Sequence, residues 1–180
     1  MHRRSVISQM AATAFLAACF PMAVRAARPA GAGPLAQARI DVSPGRWREV
    51  LPADRYRVLF EEGTEPPRSS PLDKEYGDGT YICAACYLPL FDSADKFDSG
   101  TGWPSFTRPL ADAMETKRDF KLIWPRTEYH CRRCGGHQGH VFNDGPPPTG
   151  QRWCNNGLAL EFVPRGEALP PLRDPSRPEA

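Results

Sequence analysis

The chemistry this chain can perform is carried first by its sulfur. Six cysteines occur in 180 residues, and four of them stand as two spaced pairs, Cys83-Ala84-Ala85-Cys86 and Cys131-Arg132-Arg133-Cys134. Two intervening residues let a tight turn aim both sulfurs at one centre, and two such turns supply four thiolates for a tetrahedral ion. Zinc suits that donor set and has no redox chemistry, so the pairs predict one structural Zn2+ per chain. Residues 87–130 separate the pairs, so the ion would close a long loop within a small domain. Competing readings are two local disulfides, a redox pair lacking its usual βαβ setting, and a local site made of Cys131, Cys134, His137 and His140.

Cys154 is left over, in the run Gln151-Arg152-Trp153-Cys154-Asn155-Asn156. On a strand, Arg152, Cys154 and Asn156 project from one face. An arginine beside a thiol favours the thiolate and lowers its pKa, which makes the sulfur a nucleophile. A lone cysteine is otherwise an inert buried residue, but polar neighbours on its own face count against that here. Upstream stands His137-Gln138-Gly139-His140-Val141-Phe142-Asn143-Asp144, where two histidines and an aspartate could move and orient a proton. The turn Ser99-Gly100-Thr101-Gly102-Trp103-Pro104-Ser105-Phe106 presents Trp103 and Phe106 either to a pocket or to the core.

The elements that must hold these residues are short. Twenty prolines and fifteen glycines break long helices and favour strands joined by turns, so a mainly β, antiparallel domain with little helix is expected. Strand fragments are read at 96–98, 121–124, 140–142 and 151–163, and a short helix at 53–61 ends before Gly63. With 41% apolar residues the chain can build a core, and a net charge of +2 supplies no basic face for nucleic acid. Residues 46–164 form the expected domain. Residues 27–45, rich in Ala, Gly and Pro, read as a flexible linker, and 165–180 as a disordered tail. Residues 1–26 read as an export signal: His2-Arg3-Arg4-Ser5-Val6-Ile7 resembles a twin-arginine signal, no charge falls between Ser5 and Val24, and Val24-Arg25-Ala26 suits cleavage. That predicts a periplasmic protein, exported folded with its metal already loaded. Leu16-Ala17-Ala18-Cys19 offers an alternative, a lipid anchor on Cys19, and an uncleaved N-terminal anchor is another.

These motifs together resemble the methionine sulfoxide reductase B family. The resemblance rests on Gly63-Thr64-Glu65-Pro66-Pro67, both cysteine pairs, the 99–106 turn, Gly136-His137-Gln138-Gly139-His140-Val141-Phe142, Asp144-Gly145-Pro146 and Arg152-Trp153-Cys154-Asn155-Asn156, in family order. It implies two antiparallel sheets in a β-tent with short helices and a four-cysteine zinc site remote from the chemistry. Cys154 falls on the nucleophile; His137, His140, Asp144, Arg152 and Asn156 fall on polar active-site positions; Trp103 and Phe142 fall on the wall that holds the substrate methyl. The implied activity is repair of methionine R-sulfoxide in oxidised proteins and peptides by a monomer, through a Cys154 sulfenic acid. A Cys/His hydrolase or transpeptidase, and a non-enzymatic zinc module, are the rival readings. Several positions depart from the family pattern. Thr101 stands where many relatives have a resolving cysteine, so a thioredoxin-like protein or small thiol must regenerate Cys154. Trp153 replaces a usual tyrosine, Asn155 an apolar residue, Gly157 a serine and Arg68 an aromatic.

Overall fold

A computed structural model describes residues 38–120 and 125–177. The signal, Cys19, most of the linker, the 121–124 fragment and residues 178–180 lie outside the described residues. Two helices come first, α1 (Pro44–Val50) and α2 (Ala53–Phe60). Pro44 opens α1 with a preset φ and no N–H to leave unpaired. Trp47 is 1% exposed and stacks on Phe60, ring centroids 5.4 Å apart, which seals the helices together.

The strands in chain order are β1 (Gly79–Cys83), β2 (Pro89–Asp92), β3 (Lys96–Phe97), β4 (Ser105–Phe106), β5 (Met114–Asp119), β6 (Arg126–Cys131), β7 (His137–Phe142), β8 (Arg152–Asn155) and β9 (Leu160–Pro164). They make two antiparallel sheets, β2-β1-β9 and β3-β4-β8-β7-β6-β5. The core forms where the sheets face each other. Phe91 of the first stacks on Phe106 of the second at 4.0 Å, and Tyr81 meets Phe106 edge-on at 5.0 Å. Such offset and edge contacts add to the large apolar area that each ring buries. The mainly β expectation and its two sheets are borne out.

Three expectations change. The 151–163 fragment is two strands in different sheets, β8 and β9, separated by a 3-10 turn at Gly157–Ala159. Within the 27–45 linker, Ile40 donates its N–H to the Arg133 carbonyl at 2.8 Å, and Ile40 and Val42 pack on the core. Apolar residues at alternate positions outweigh the Ala/Gly/Pro composition before them. The 165–180 tail is anchored as far as it is described. Arg165 pairs with Asp78 and Asp92, the Arg173 N–H donates to the Cys86 carbonyl at 3.1 Å, and the Arg173 guanidinium covers the Tyr87 ring at 4.1 Å. Arg133 also donates to the Arg173 carbonyl at 2.5 Å. Charged side chains with specific partners hold a segment whose prolines alone suggested disorder.

Candidate functional site

The two cysteine pairs occupy matching turns. Tyr87 donates its N–H to the Cys83 carbonyl and Gly135 to the Cys131 carbonyl, both at 2.8 Å, each residue at positive φ. Glycine takes that conformation freely at 135. At 87 a tyrosine takes it, beneath Arg173. The turns bring the four sulfurs within 4.8 Å of one another, with Cys83 to Cys134 at 3.7 Å and Cys86 to Cys131 at 3.6 Å. Sulfurs around a tetrahedral ion at a metal–sulfur distance of about 2.3 Å are spaced by about 3.8 Å, so the donors fit such an ion. The five described cysteines are all free thiols, which sets aside the local disulfides. The Cys/His alternative also fails, because both histidines are engaged by carboxylates.

β8 lies between β4 and β7, so Cys154 faces Ser105 on one side and His140 on the other. β7 comes this close because residue 139 is glycine: a Cβ there would sit 1.9 Å from the Cys154 carbonyl oxygen. Residues three apart on a regular strand point to opposite faces. A register shift opposite Tyr129 and His130 undoes this in β7 and turns His137 toward His140, ring centroids 5.5 Å apart.

Each histidine has a carboxylate partner that sequence reasoning missed. His140 Nε2 lies 2.8 Å from Asp119 Oδ2, and His137 Nδ1 lies 2.7 Å from Glu128 Oε1. Arg126 donates to the same Asp119 oxygen at 2.6 Å. An ionised Asp119 accepts from Nε2 and so selects the His140 tautomer with a bare Nδ1. Burial, helped by Arg126 and His137, holds the His140 pKa below its ordinary imidazole value against the pull of Asp119, which favours the neutral ring. Alternation of Arg126 and Glu128 along β6 was a weak period-two signal. Nothing local in the sequence points to Asp119, which reaches the site only through its pairing opposite Arg126.

At the sulfur, Arg152 and Thr101 both draw the Cys154 pKa down, as expected of the arginine. Burial is the larger effect, so the thiol lies above its ordinary value, and the expectation of a resting thiolate is corrected. Asp144 holds Arg152 in a two-pronged pair at 2.8 and 2.9 Å, and the Arg152 guanidinium covers Phe142 at 4.3 Å.

A pocket of about 130 Å³ opens on Cys154, lined also by Thr64, Trp103, Arg126, His140, Phe142 and Asn156. Of the expected residues, Cys154, His140, Trp103, Phe142 and Asn156 share this pocket. His137 is buried beside His140, and Asp144 is exposed and paired with Arg152; neither lines the pocket. A larger cleft of about 650 Å³, between Arg55, Ser69, Leu72, Leu158 and Phe162, contains no cysteine or histidine.

A family model described as the SelR domain matches residues 51–164. The chain is similar to a protein named peptide methionine sulfoxide reductase MsrB in Pseudomonas putida (strain W619), 49% identical over 131 residues, covering 72% of this chain and 98% of that protein. A protein of the same name in Pseudomonas fluorescens (strain Pf-5) is 51% identical over 120 residues, 66% of this chain and 92% of that protein. Another in Leptospira interrogans is 46% identical over 124 residues, 68% and 95%.

Proposed function

The chain belongs to the methionine sulfoxide reductase B family, and we propose that it reduces the R epimer at sulfur of methionine sulfoxide in proteins and peptides, with Cys154 as the nucleophile. It is an oxidoreductase acting on methionine sulfoxide. One observation carries the finer reading: a cysteine and a histidine face each other across two paired strands, in a small pocket walled by an indole and a phenyl ring.

The raised thiol needs a base, and His140 Nδ1 takes its proton. Arg152 and Thr101 steady the thiolate as it forms. The sulfur attacks the electrophilic sulfoxide sulfur, and His140 returns the proton to the sulfoxide oxygen. The oxygen passes to Cys154 as a sulfenic acid while the substrate sulfur keeps the electron pair and leaves as methionine. Cys154 is thereby oxidised by two electrons and the substrate reduced by two. Two external thiols then restore Cys154, forming a disulfide and water; the other described cysteines all lie in the four-sulfur cluster. Trp103 and Phe142 hold the methyl group, which fixes the epimer accepted. Cys83, Cys86, Cys131 and Cys134 hold one zinc ion, which supplies no chemistry at the pocket and braces the two turns.

Separated sulfoxide epimers of a methionine peptide, incubated with dithiothreitol, test this. Turnover of the R epimer is expected, with loss of at least 10³-fold in Cys154→Ser, on the order reported for removing a nucleophile. Hydrolysis with the sulfoxide left intact would favour a Cys/His hydrolase and overturn the assignment. We further propose export to the periplasm on the strength of Arg3-Arg4 and the uncharged run after it. Retention of the full-length chain in the cytoplasm of fractionated cells would refute that, and a lipid mass on a chain beginning at Cys19 would replace release with anchoring.

A further inference from the structure

Glu65 lies in the loop after α2 and is 2% exposed, without a lysine or arginine partner in its contacts. Its carboxylate accepts from two successive main-chain N–H groups, Gly157 at 2.6 Å and Leu158 at 2.8 Å. These open the turn three residues beyond the nucleophile. Its own N–H donates to Asn156 Oδ1 at 3.1 Å, and its carbonyl accepts from Trp103 Nε1 at 3.1 Å. Asn156 in turn donates through Nδ2 to the Gln138 carbonyl in β7 at 3.0 Å. Three residues further along the same loop, the Arg68 N–H donates to the Gly102 carbonyl at 2.7 Å. The loop 64–68 therefore grips the Trp103 turn and the chain just after Cys154 at once.

We propose that Glu65 is a positioning residue for sulfoxide reduction, locking Trp103 and the 156–158 turn in one fixed relation to the Cys154 sulfur. The inference rests on the proposed reaction. Glu65 touches neither the sulfur nor the pocket interior; it sets where the methyl-holding wall stands relative to the attacking atom. A glutamine at 65 keeps the volume but turns an amide group toward one of the two N–H donors, leaving that contact repulsive. The wall then shifts relative to a sulfur that has not moved.

The test compares Glu65→Gln with the native full-length, zinc-loaded chain by two rates: turnover of a methionine R-sulfoxide peptide and alkylation of Cys154 by iodoacetamide. A misplacement near 1 Å costs up to about 10²-fold in rate, so kcat/KM is expected to fall roughly tenfold to a hundredfold. Alkylation, which needs the sulfur but not the wall, should stay within about twofold, since Glu65 does not contact the thiol. Equal losses in both rates would mean general loosening and overturn the inference, as would unchanged turnover. Where Glu65→Gln does not fold, Glu65→Asp, which keeps the charge but withdraws it from at least one N–H, is read the same way. Absence of sulfoxide reduction by the native chain would overturn the proposed function and this inference with it. Native activity with an indifferent variant overturns the inference alone.

Discussion

Cys154 stands between opposed influences: burial favours its protonated form, while Arg152 and Thr101 favour the anion. Since burial prevails, most of the thiol carries its proton at neutral pH, and the thiolate fraction grows as pH rises toward the raised pKa. Alkylation of the substrate-free chain by iodoacetamide is therefore expected to keep climbing past about pH 8.5, where an unperturbed thiol is half ionised. Arg152→Ala, losing the cation, should slow labelling severalfold at any pH below that. A plateau below pH 8 would mean that the arginine prevails instead. Cys154 was legible by elimination, because the other domain cysteines came in spaced pairs. Its polar surroundings were legible too, since Arg152 is two residues away. The net direction of its pKa was not, because burial is a property of the whole fold. Asn155 shows the same limit. An amide in place of an apolar residue looks costly, yet it is fully buried and satisfied: Tyr129 donates to its oxygen at 2.8 Å, and its own Nδ2 donates to Gln138 Oε1 and the Asn156 carbonyl. Two of those partners, Tyr129 and Gln138, come from other strands.

Between elements, tightness explains another departure. At Gly157 a Cβ would meet Ser70 Oγ at 2.0 Å, so the 3-10 turn between β8 and β9 lies directly against Ser70. A serine at 157 has no room while Ser70 is present. Gly157→Ser is expected to lower stability by about 1–3 kcal/mol, the usual cost of overpacking. Ser70→Gly made in the same chain should return most of it, a coupling that a double-mutant cycle read by denaturant unfolding would measure. Additive effects would show that the two positions do not compete for space. Some elements could be read locally. Helix α2 was read to within a residue of its end, and the strands around His140 and Cys154 were each found in part, at 140–142 and 151–163. β5 carries no such signal: in Met-Glu-Thr-Lys-Arg-Asp three consecutive residues are exposed and only the last is buried, with little alternation to detect. The break between β8 and β9 was missed although Asn156-Gly157 is a turn-forming dipeptide, because the apolar residues after it were read as a continuation of the same strand.

Across the whole molecule, the cysteine turns gather support from distant segments. Arg173 lies over Tyr87, its guanidinium reaches the Ala84 and Ala85 carbonyls at 3.5 and 3.4 Å, and Gln138 Nε2 donates to Cys83 Sγ at 3.6 Å. Deleting residues 165–180 should therefore lower the melting temperature by several degrees, the scale of one or two kcal/mol in a chain this size. It should also speed zinc loss to a colorimetric chelator, with R-sulfoxide turnover of the loaded protein little changed, since none of the described tail residues, 165–177, lines the pocket. Zinc release at the native rate would show that the tail is dispensable to the metal. Arg133 carries one more consequence. Its carbonyl receives the Ile40 N–H and its side chain grips the Arg173 carbonyl, so residues near both limits of the described chain meet on a single arginine. A short bridge from residue 174 back to 39 would turn the domain into a closed ring. Such a ring could be cut open at some exposed bend elsewhere, giving a circularly permuted chain whose new ends lie away from the metal.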